Sequence, residues 1–142
     1  MLKRTAAVLG LALGAAALAW AAGIFYYQRK VSRAVAQLRR EHLLSTAPGA
    51  YVDLPSARDV AALGCRALPA LMAELDPGLN PYYLCRVADC LTDLSDGEAP
   101  RVVFDEDREG RRKSVDTLRA WWAESGSRRH DWWRFWTSKC VR

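Results

Sequence analysis

The sequence has few of the residues on which sheets and catalytic sites depend. Isoleucine occurs once, at Ile24, and alanine, leucine and arginine far outnumber the β-branched residues. Such a composition favours helix over sheet. The only histidines are His42 and His130, neither of which has a plausible nucleophile nearby in the sequence, and no glycine-rich loop is present to hold phosphate. We therefore expect an all-α protein that is not an enzyme and uses no cofactor.

The chain also lacks a strong charge of either sign. It has 21 Lys and Arg against 16 Asp and Glu, a formal net charge of +5. Lys3 and Arg4 account for +2 of this and no acid lies among the first 27 residues, which leaves +3 for residues 28–142. A balance this small does not indicate a nucleic-acid binder, so we expect no nucleic-acid partner.

Cysteines are few and are not spaced as metal ligands. The four are Cys65, Cys85, Cys90 and Cys140, and no pair has the C-x-x-C spacing of zinc or thioredoxin-like sites. In a reducing compartment they would be small buried hydrophobic residues. If the domain is exported, bridges such as Cys65 to Cys85 or Cys90 to Cys140 become feasible. The sequence leaves both alternatives open.

The segment 105–116, "DEDREGRRKSVD", imitates a calcium-binding loop. It has acids at positions 1, 3 and 5 and a glycine at position 6. However, position 12 is Asp116, which is shorter than the usual bidentate Glu, and the basic residues inside the segment repel a cation. We interpret it as a solvated run of charges and predict no metal site.

One long apolar run is present, at the N-terminus. Thr5 to Tyr27, "TAAVLGLALGAAALAWAAGIFYY", carries no charge over 23 residues, enough to span a bilayer as a helix. A cleaved signal peptide is the rival interpretation, with "AWA" at Ala19–Ala21 as the cleavage site. The run continues past that site and ends in aromatic and then basic residues, which is typical of a membrane interface. We therefore predict that residues 1–27 are a retained anchor that contacts the membrane through residues 5–27.

Residues 28–55 are predicted to form a basic juxtamembrane helix and a linker. Val31, Ala34, Val35 and Leu38 make one apolar stripe at helical spacing. The juxtamembrane basic residues are Arg29, Lys30, Arg33, Arg39 and Arg40. We expect the stripe to pack on the following domain; the alternative is a helix that lies on anionic lipid. The excess of Lys and Arg on this side of the span favours a cytoplasmic domain.

Residues 56–142 are predicted to form the helical domain. Ser56 is expected to cap a first helix that ends at Gly64, and Asn80 is expected to cap a helix with Pro81 in its first position. Between them, "RALPALMAELD" places Leu68, Leu71, Met72 and Leu75 on one face. Residues 95–113 are read as an exposed loop. A further helix is expected from Ser114, and a last one through Trp132, Phe135 and Trp136.

Two stretches, "LGCRALPALMAELDP" and "CRVADCLTDL", resemble the bacterial HEAT-like repeat proteins. The matching positions are Leu63-Gly64, Ala67–Leu71 and Val87-Ala88 with Cys90-Leu91. The downstream "LRAWW" looks like the Trp-rich closing helix of some short bacterial proteins of this type. The resemblance covers about 80 residues and fewer than the three repeats that such arrays usually contain. It implies stacked antiparallel helix pairs and protein–protein binding, and no catalytic residues.

Five of the six tryptophans lie close together in the C-terminal part of the chain. A short helical stack leaves an apolar end that terminal elements must cover, and Trp121 and Trp122 are predicted to do so. The tail is equally consistent with core packing and with an exposed surface for a partner or the membrane. That candidate surface comprises Trp132, Trp133, Arg134, Trp136, Arg128 and Arg129.

These features together predict a single-pass protein of the bacterial inner membrane. Its short HEAT-like domain would act as an adaptor or accessory subunit that binds a protein partner. The alternative is an exported, disulfide-stabilised envelope protein whose Trp/Arg-rich tail binds lipid or cell-wall material. A protein that responds to redox state or metal through its cysteines is a weaker third interpretation.

Overall fold

The computed structural model describes residues 2–44 and 55–124, with side chains for residues 9–42 and 55–124. Regular structure in these ranges is entirely helical, as the composition predicted. The helices are α1 (Leu2–Leu44), α2 (Pro55–Leu63), α3 (Leu68–Ala73), α4 (Pro81–Leu94) and α5 (Arg108–Glu124), and a 3-10 turn (Gly64–Ala67) joins α2 to α3.

Helix α1 is continuous over 43 residues, about 65 Å at 1.5 Å per residue. Its N-terminal half is uncovered: Leu11 and Leu18 are 76% and 74% exposed. Its C-terminal half is part of the core, since Leu38 is fully buried together with Val31, Ala34 and Val35. This is the packing that the apolar stripe predicted. Within the described residues, α1 is the one helix long and apolar enough to cross a membrane, by length and composition.

The start of α2 differs from the prediction that Ser56 is its N-cap. The helix begins at Pro55, and Ser56 lies in its first turn, fully buried. The Ser56 backbone N–H donates to the Glu41 carboxylate of α1 over 3.2 Å, and the Ser56 hydroxyl donates to the same oxygen. An acid from α1 therefore satisfies an N–H that the first turn of α2 leaves without a helical partner. This contact fixes α2 against α1.

A left-handed glycine separates α2 from the helices that follow. Gly64 has φ +59°, a conformation that glycine adopts without steric cost, so the predicted helix end is confirmed. After the 3-10 turn, Pro69 lies in the first turn of α3, where its missing N–H costs little. The predicted apolar face of this segment, Leu68, Leu71, Met72 and Leu75, is buried.

Helix α4 begins as its sequence predicts. The Asn80 side chain accepts a hydrogen bond from the Tyr82 N–H over 2.9 Å, and Pro81 is the first helical residue. The helix packs against α2 and α3. Its buried face comprises Tyr83, Leu84, Val87, Ala88 and Leu91.

The loop after α4 is partly buried, contrary to the exposed loop predicted for residues 95–113. Ala99 and Phe104 are only 2% and 6% exposed. The Ser95 hydroxyl, itself fully buried, accepts from the Ala99 N–H over 2.9 Å and donates to the Thr92 carbonyl over 3.1 Å. The buried polar atom is thus satisfied, and the loop closes one side of the core.

Helix α5 begins at Arg108, six residues earlier than predicted. The Asp107 carboxylate accepts from the backbone N–H groups of Glu109 (2.9 Å) and Gly110 (2.8 Å), which makes Asp107 the cap of α5. Asp107, an acid of the calcium-like segment, therefore binds the backbone N–H groups at the start of α5.

The buried residues of α5 are Val115 and Leu118, and the side chains of Trp121 and Trp122 pack half-buried against the core. Arg119 donates to the Leu75 carbonyl over 2.8 Å and so ties α5 to the end of α3. The last helix predicted, through Trp132, Phe135 and Trp136, lies outside the described residues.

Candidate functional site

A groove opens where α1 leaves its apolar segment and meets the domain. We call it the basic groove. Its volume is about 340 Å³, within the usual range for ligand sites. It is lined by Tyr27, Lys30, Arg33, Ala34 and Gln37 of α1, Asp59, Ala62 and Leu63 of α2, and Arg66 of the 3-10 turn.

Helical spacing brings the α1 side of the groove together. Tyr27, Lys30, Arg33/Ala34 and Gln37 recur at three- and four-residue intervals, so they lie on one face. Ala34 is buried, whereas Lys30, Arg33 and Gln37 are exposed. The small side chain of Ala34 therefore leaves room between two cations that reach into solvent.

Arg66 completes the opposite side. Its guanidinium carbon lies 4.3 Å from the centre of the Tyr27 ring, a cation–π contact that holds the charge at the groove. Asp59 is the one acid among the lining residues, set against the cations Lys30, Arg33 and Arg66. The lining thus has a net charge of +2, and its chemistry suits an anion.

A second cluster of polar side chains joins α1 to the domain. The Tyr83 hydroxyl donates to Glu74 Oε2 over 2.9 Å, and an Arg39 guanidinium nitrogen lies 3.7 Å from the same oxygen. The His42 ring lies 5.4 Å from the Tyr83 ring. Burial, together with the bond to Glu74, raises the pKa of Tyr83 well above its ordinary value. Tyr83 therefore remains protonated and donates to Glu74. The cluster links α1, which carries Arg39, to α4, which carries Tyr83.

The predicted juxtamembrane cations do not form a single surface. Lys30 and Arg33 line the basic groove, whereas Arg39 turns toward Glu74. Arg29 lies over the Phe25 ring at 5.3 Å, and Arg40 is exposed. The predicted tail surface, Trp132, Trp133, Arg134, Trp136, Arg128 and Arg129, lies outside the described residues.

Three residues of the groove were not predicted from the sequence. Tyr27 was assigned to a membrane interface, and Asp59 to a helix start. Arg66 carried no signal, because its approach to Tyr27 depends on how α1 packs against the turn after Gly64. Contacts between residues so far apart in the sequence require the fold.

The cysteines differ in state. Cys65 is disulfide-bonded, whereas Cys85 and Cys90 are free thiols. Neither bridge considered from the sequence, Cys65 to Cys85 or Cys90 to Cys140, is therefore formed. Burial raises the pKa of Cys90 to about 11, opposed in part by the charge of Arg86. A thiol with so high a pKa is a poor nucleophile at neutral pH.

Within the ranges that the structure describes, no three His, Cys, Asp or Glu side chains come together in a way that could hold a metal ion. The chain matches no protein-family model, and neither a curated protein nor a solved structure shows significant similarity to it.

Proposed function

We propose that the protein is a single-pass membrane protein whose helical domain binds another protein, as an adaptor or accessory subunit without catalysis of its own. The observation that carries this proposal is the division of α1. One continuous helix has leucines up to 76% exposed in its N-terminal half and a fully buried Leu38 in its C-terminal half. An anchor and a domain that share one helix are held in a fixed relation to each other.

Energetics support an anchor over a surface helix in water. Exposed apolar area costs about 25 cal/mol per Å², and the described residues cover none of the apolar window of α1. Lipid would remove that cost. The aromatic residues Tyr26 and Tyr27, followed by Arg29, lie where an interface belt is expected.

The domain is, in this proposal, a short HEAT-like unit in which α3 and α4 form the helix pair. Support comes from Pro69 in the first turn of α3 and from the small Ala88 beside Leu91 on the buried face of α4. Such units bind other proteins through exposed helix faces.

The disulfide at Cys65 favours an exported domain, the orientation of the runner-up interpretation. Disulfides persist in oxidising compartments and are rare in the cytosol. The disulfide thus opposes the cytoplasmic orientation predicted from the Lys and Arg count. We give the disulfide more weight than the Lys and Arg count, because three of the counted residues have contacts in the structure. Arg29 lies over the Phe25 ring, Arg33 lines the basic groove, and Arg39 lies near Glu74.

Site-specific photo-crosslinking in intact membranes tests the adaptor role. A crosslinking residue is placed at Tyr82 or Val103, which are 53% and 75% exposed on the domain, and at Leu18 in the apolar segment as the matched control. We expect at least one domain position to yield a discrete protein adduct and Leu18 to yield none. The absence of a discrete adduct at both Tyr82 and Val103 would contradict the proposal.

A further inference from the structure

We propose that the basic groove binds the phosphate of an anionic phospholipid, from the leaflet in which the apolar segment of α1 ends. The inference rests on the proposed function only in that α1 must be a membrane anchor. It assigns the groove a ligand of one class, a phosphodiester headgroup with a net negative charge.

The cations of the groove lie at the depth of the lipid headgroups. Tyr27 is the last residue of the apolar run, and at 1.5 Å per residue Lys30 and Arg33 lie about 4.5 and 9 Å farther along α1. The headgroup region on each side of a bilayer is about 5–8 Å thick, taken as half the difference between the whole bilayer and its hydrocarbon core. Both cations therefore fall at or just beyond the level of the lipid phosphates.

The charge and shape of the groove suit a phosphate headgroup. Three cations and one acid, Asp59, line a cavity of about 340 Å³, so the site attracts a monoanion. Guanidinium groups bind phosphate oxygens through two parallel hydrogen bonds, and a lysine adds a point charge. Ala34, Ala62 and Leu63 give the rest of the wall an apolar character that suits the glycerol end of a lipid.

One cation of the groove, Arg66, is already positioned before a ligand binds. Arg66 belongs to the domain, yet its guanidinium carbon is held 4.3 Å from the centre of the Tyr27 ring on α1. A charge that is already positioned loses less side-chain entropy when a ligand binds. A headgroup in the groove would contact both the anchor and the domain, and so would strengthen the junction between them.

The test uses the full-length protein in detergent micelles with added phosphatidylglycerol or phosphatidylcholine. Bound lipids are counted by native mass spectrometry, and melting is followed in parallel. We expect the wild type to retain phosphatidylglycerol in preference to phosphatidylcholine. The variant Lys30→Gln/Arg33→Gln/Arg66→Gln should lose about a hundredfold in affinity for phosphatidylglycerol, since each basic residue near a membrane surface contributes about fivefold.

The control variant is Arg40→Gln/Arg112→Gln/Lys113→Gln, which removes the same charge from exposed positions outside the groove. It should bind like the wild type. Should the triple groove variant fail to fold, as judged by its melting in phosphatidylcholine, Lys30→Gln alone replaces it, because Lys30 is exposed.

Three outcomes would overturn the inference: equal retention of the two lipids by the wild type, equal loss in the groove and control variants, or binding of free glycerol phosphate as tight as that of the lipid. The last would assign the groove to a soluble phosphate. A protein that stays in solution without detergent would instead contradict the membrane anchor itself.

Discussion

Three single residues determine how helices of the domain begin. Asp107 caps α5, Asn80 caps α4, and Glu41 of α1 accepts from the first turn of α2. The backbone bonds from Glu109 and Gly110 lower the pKa of Asp107, since they stabilise its charged form. Polar contacts at the first turns, rather than helix propensity alone, therefore determine where these helices begin.

Replacing the cap of α5 tests this view. Asp107→Ala should lower the melting temperature by a few degrees at pH 7. The pKa of Asp107 is depressed in the folded state, so its contribution is present above the unfolded pKa and is lost as pH falls through the folded one. The difference from wild type should therefore shrink below about pH 4.

The matched control is Asp116→Ala. Its carboxylate is exposed and lies 3.9 Å from Arg112, a surface pair that contributes little. Similar melting losses for Asp107→Ala and Asp116→Ala across the pH range would show that net charge, not capping, accounts for the effect.

The thiol of Cys90 gives a second prediction at the residue scale. With a pKa of about 11, only about one molecule in a hundred carries the thiolate at pH 9. In the Cys85→Ser variant, alkylation of Cys90 in the native protein should be slow at pH 8 and should accelerate up to about pH 11. Alkylation at pH 8 as fast as in an unfolded control would contradict the assignment of Cys90 as a buried, inert thiol.

Among the elements, α1 lies in two environments: its N-terminal half is exposed and its C-terminal half is packed against the domain. Leu38 is fully buried against the domain, whereas Leu18 on the same helix is 74% exposed. Leu38→Ala should reduce the free energy of unfolding by about 2–5 kcal/mol, because it leaves a cavity in the core.

Leu18→Ala is the matched substitution and should leave the unfolding of the detergent-solubilised domain unchanged. Denaturant melts of the two variants measure both effects. A loss at Leu18 equal to that at Leu38 would mean that the N-terminal half of α1 packs on protein rather than on lipid or detergent.

Elements with local signals could be predicted from the sequence, and those that depend on distant contacts could not. The cap at Asn80 and the apolar faces of α3 and α4 follow from spacing within each segment. The start of α5 was missed because Asp107 stands in a run of mixed charge. Phe104 is buried by packing against residues distant in the sequence. The basic groove forms only when Arg66 contacts Tyr27 of α1.

For the whole molecule, the disulfide at Cys65 predicts both a labelling pattern and a compartment. Among the described residues, Cys65 is disulfide-bonded, whereas Cys85 and Cys90 are free thiols. Alkylation after non-reducing denaturation should label Cys85 and Cys90 and leave Cys65 unlabelled, as peptide mapping can show. Reduction should then destabilise the protein by about 3 kcal/mol, typical for a native disulfide. Labelling of Cys65 without reduction would instead favour the cytoplasmic orientation.

The fixed relation between anchor and domain depends on α1 remaining whole in the cell. Cleavage after Ala21 would leave the buried residues Val31 and Leu38 in place, so a folded domain alone does not distinguish an anchor from a signal peptide. The decisive measurement is the intact mass of the chain recovered from carbonate-washed membranes. We predict that the chain in the membrane fraction has the mass expected when residues 1–27 are retained. A soluble chain that begins after Ala21 would contradict the account.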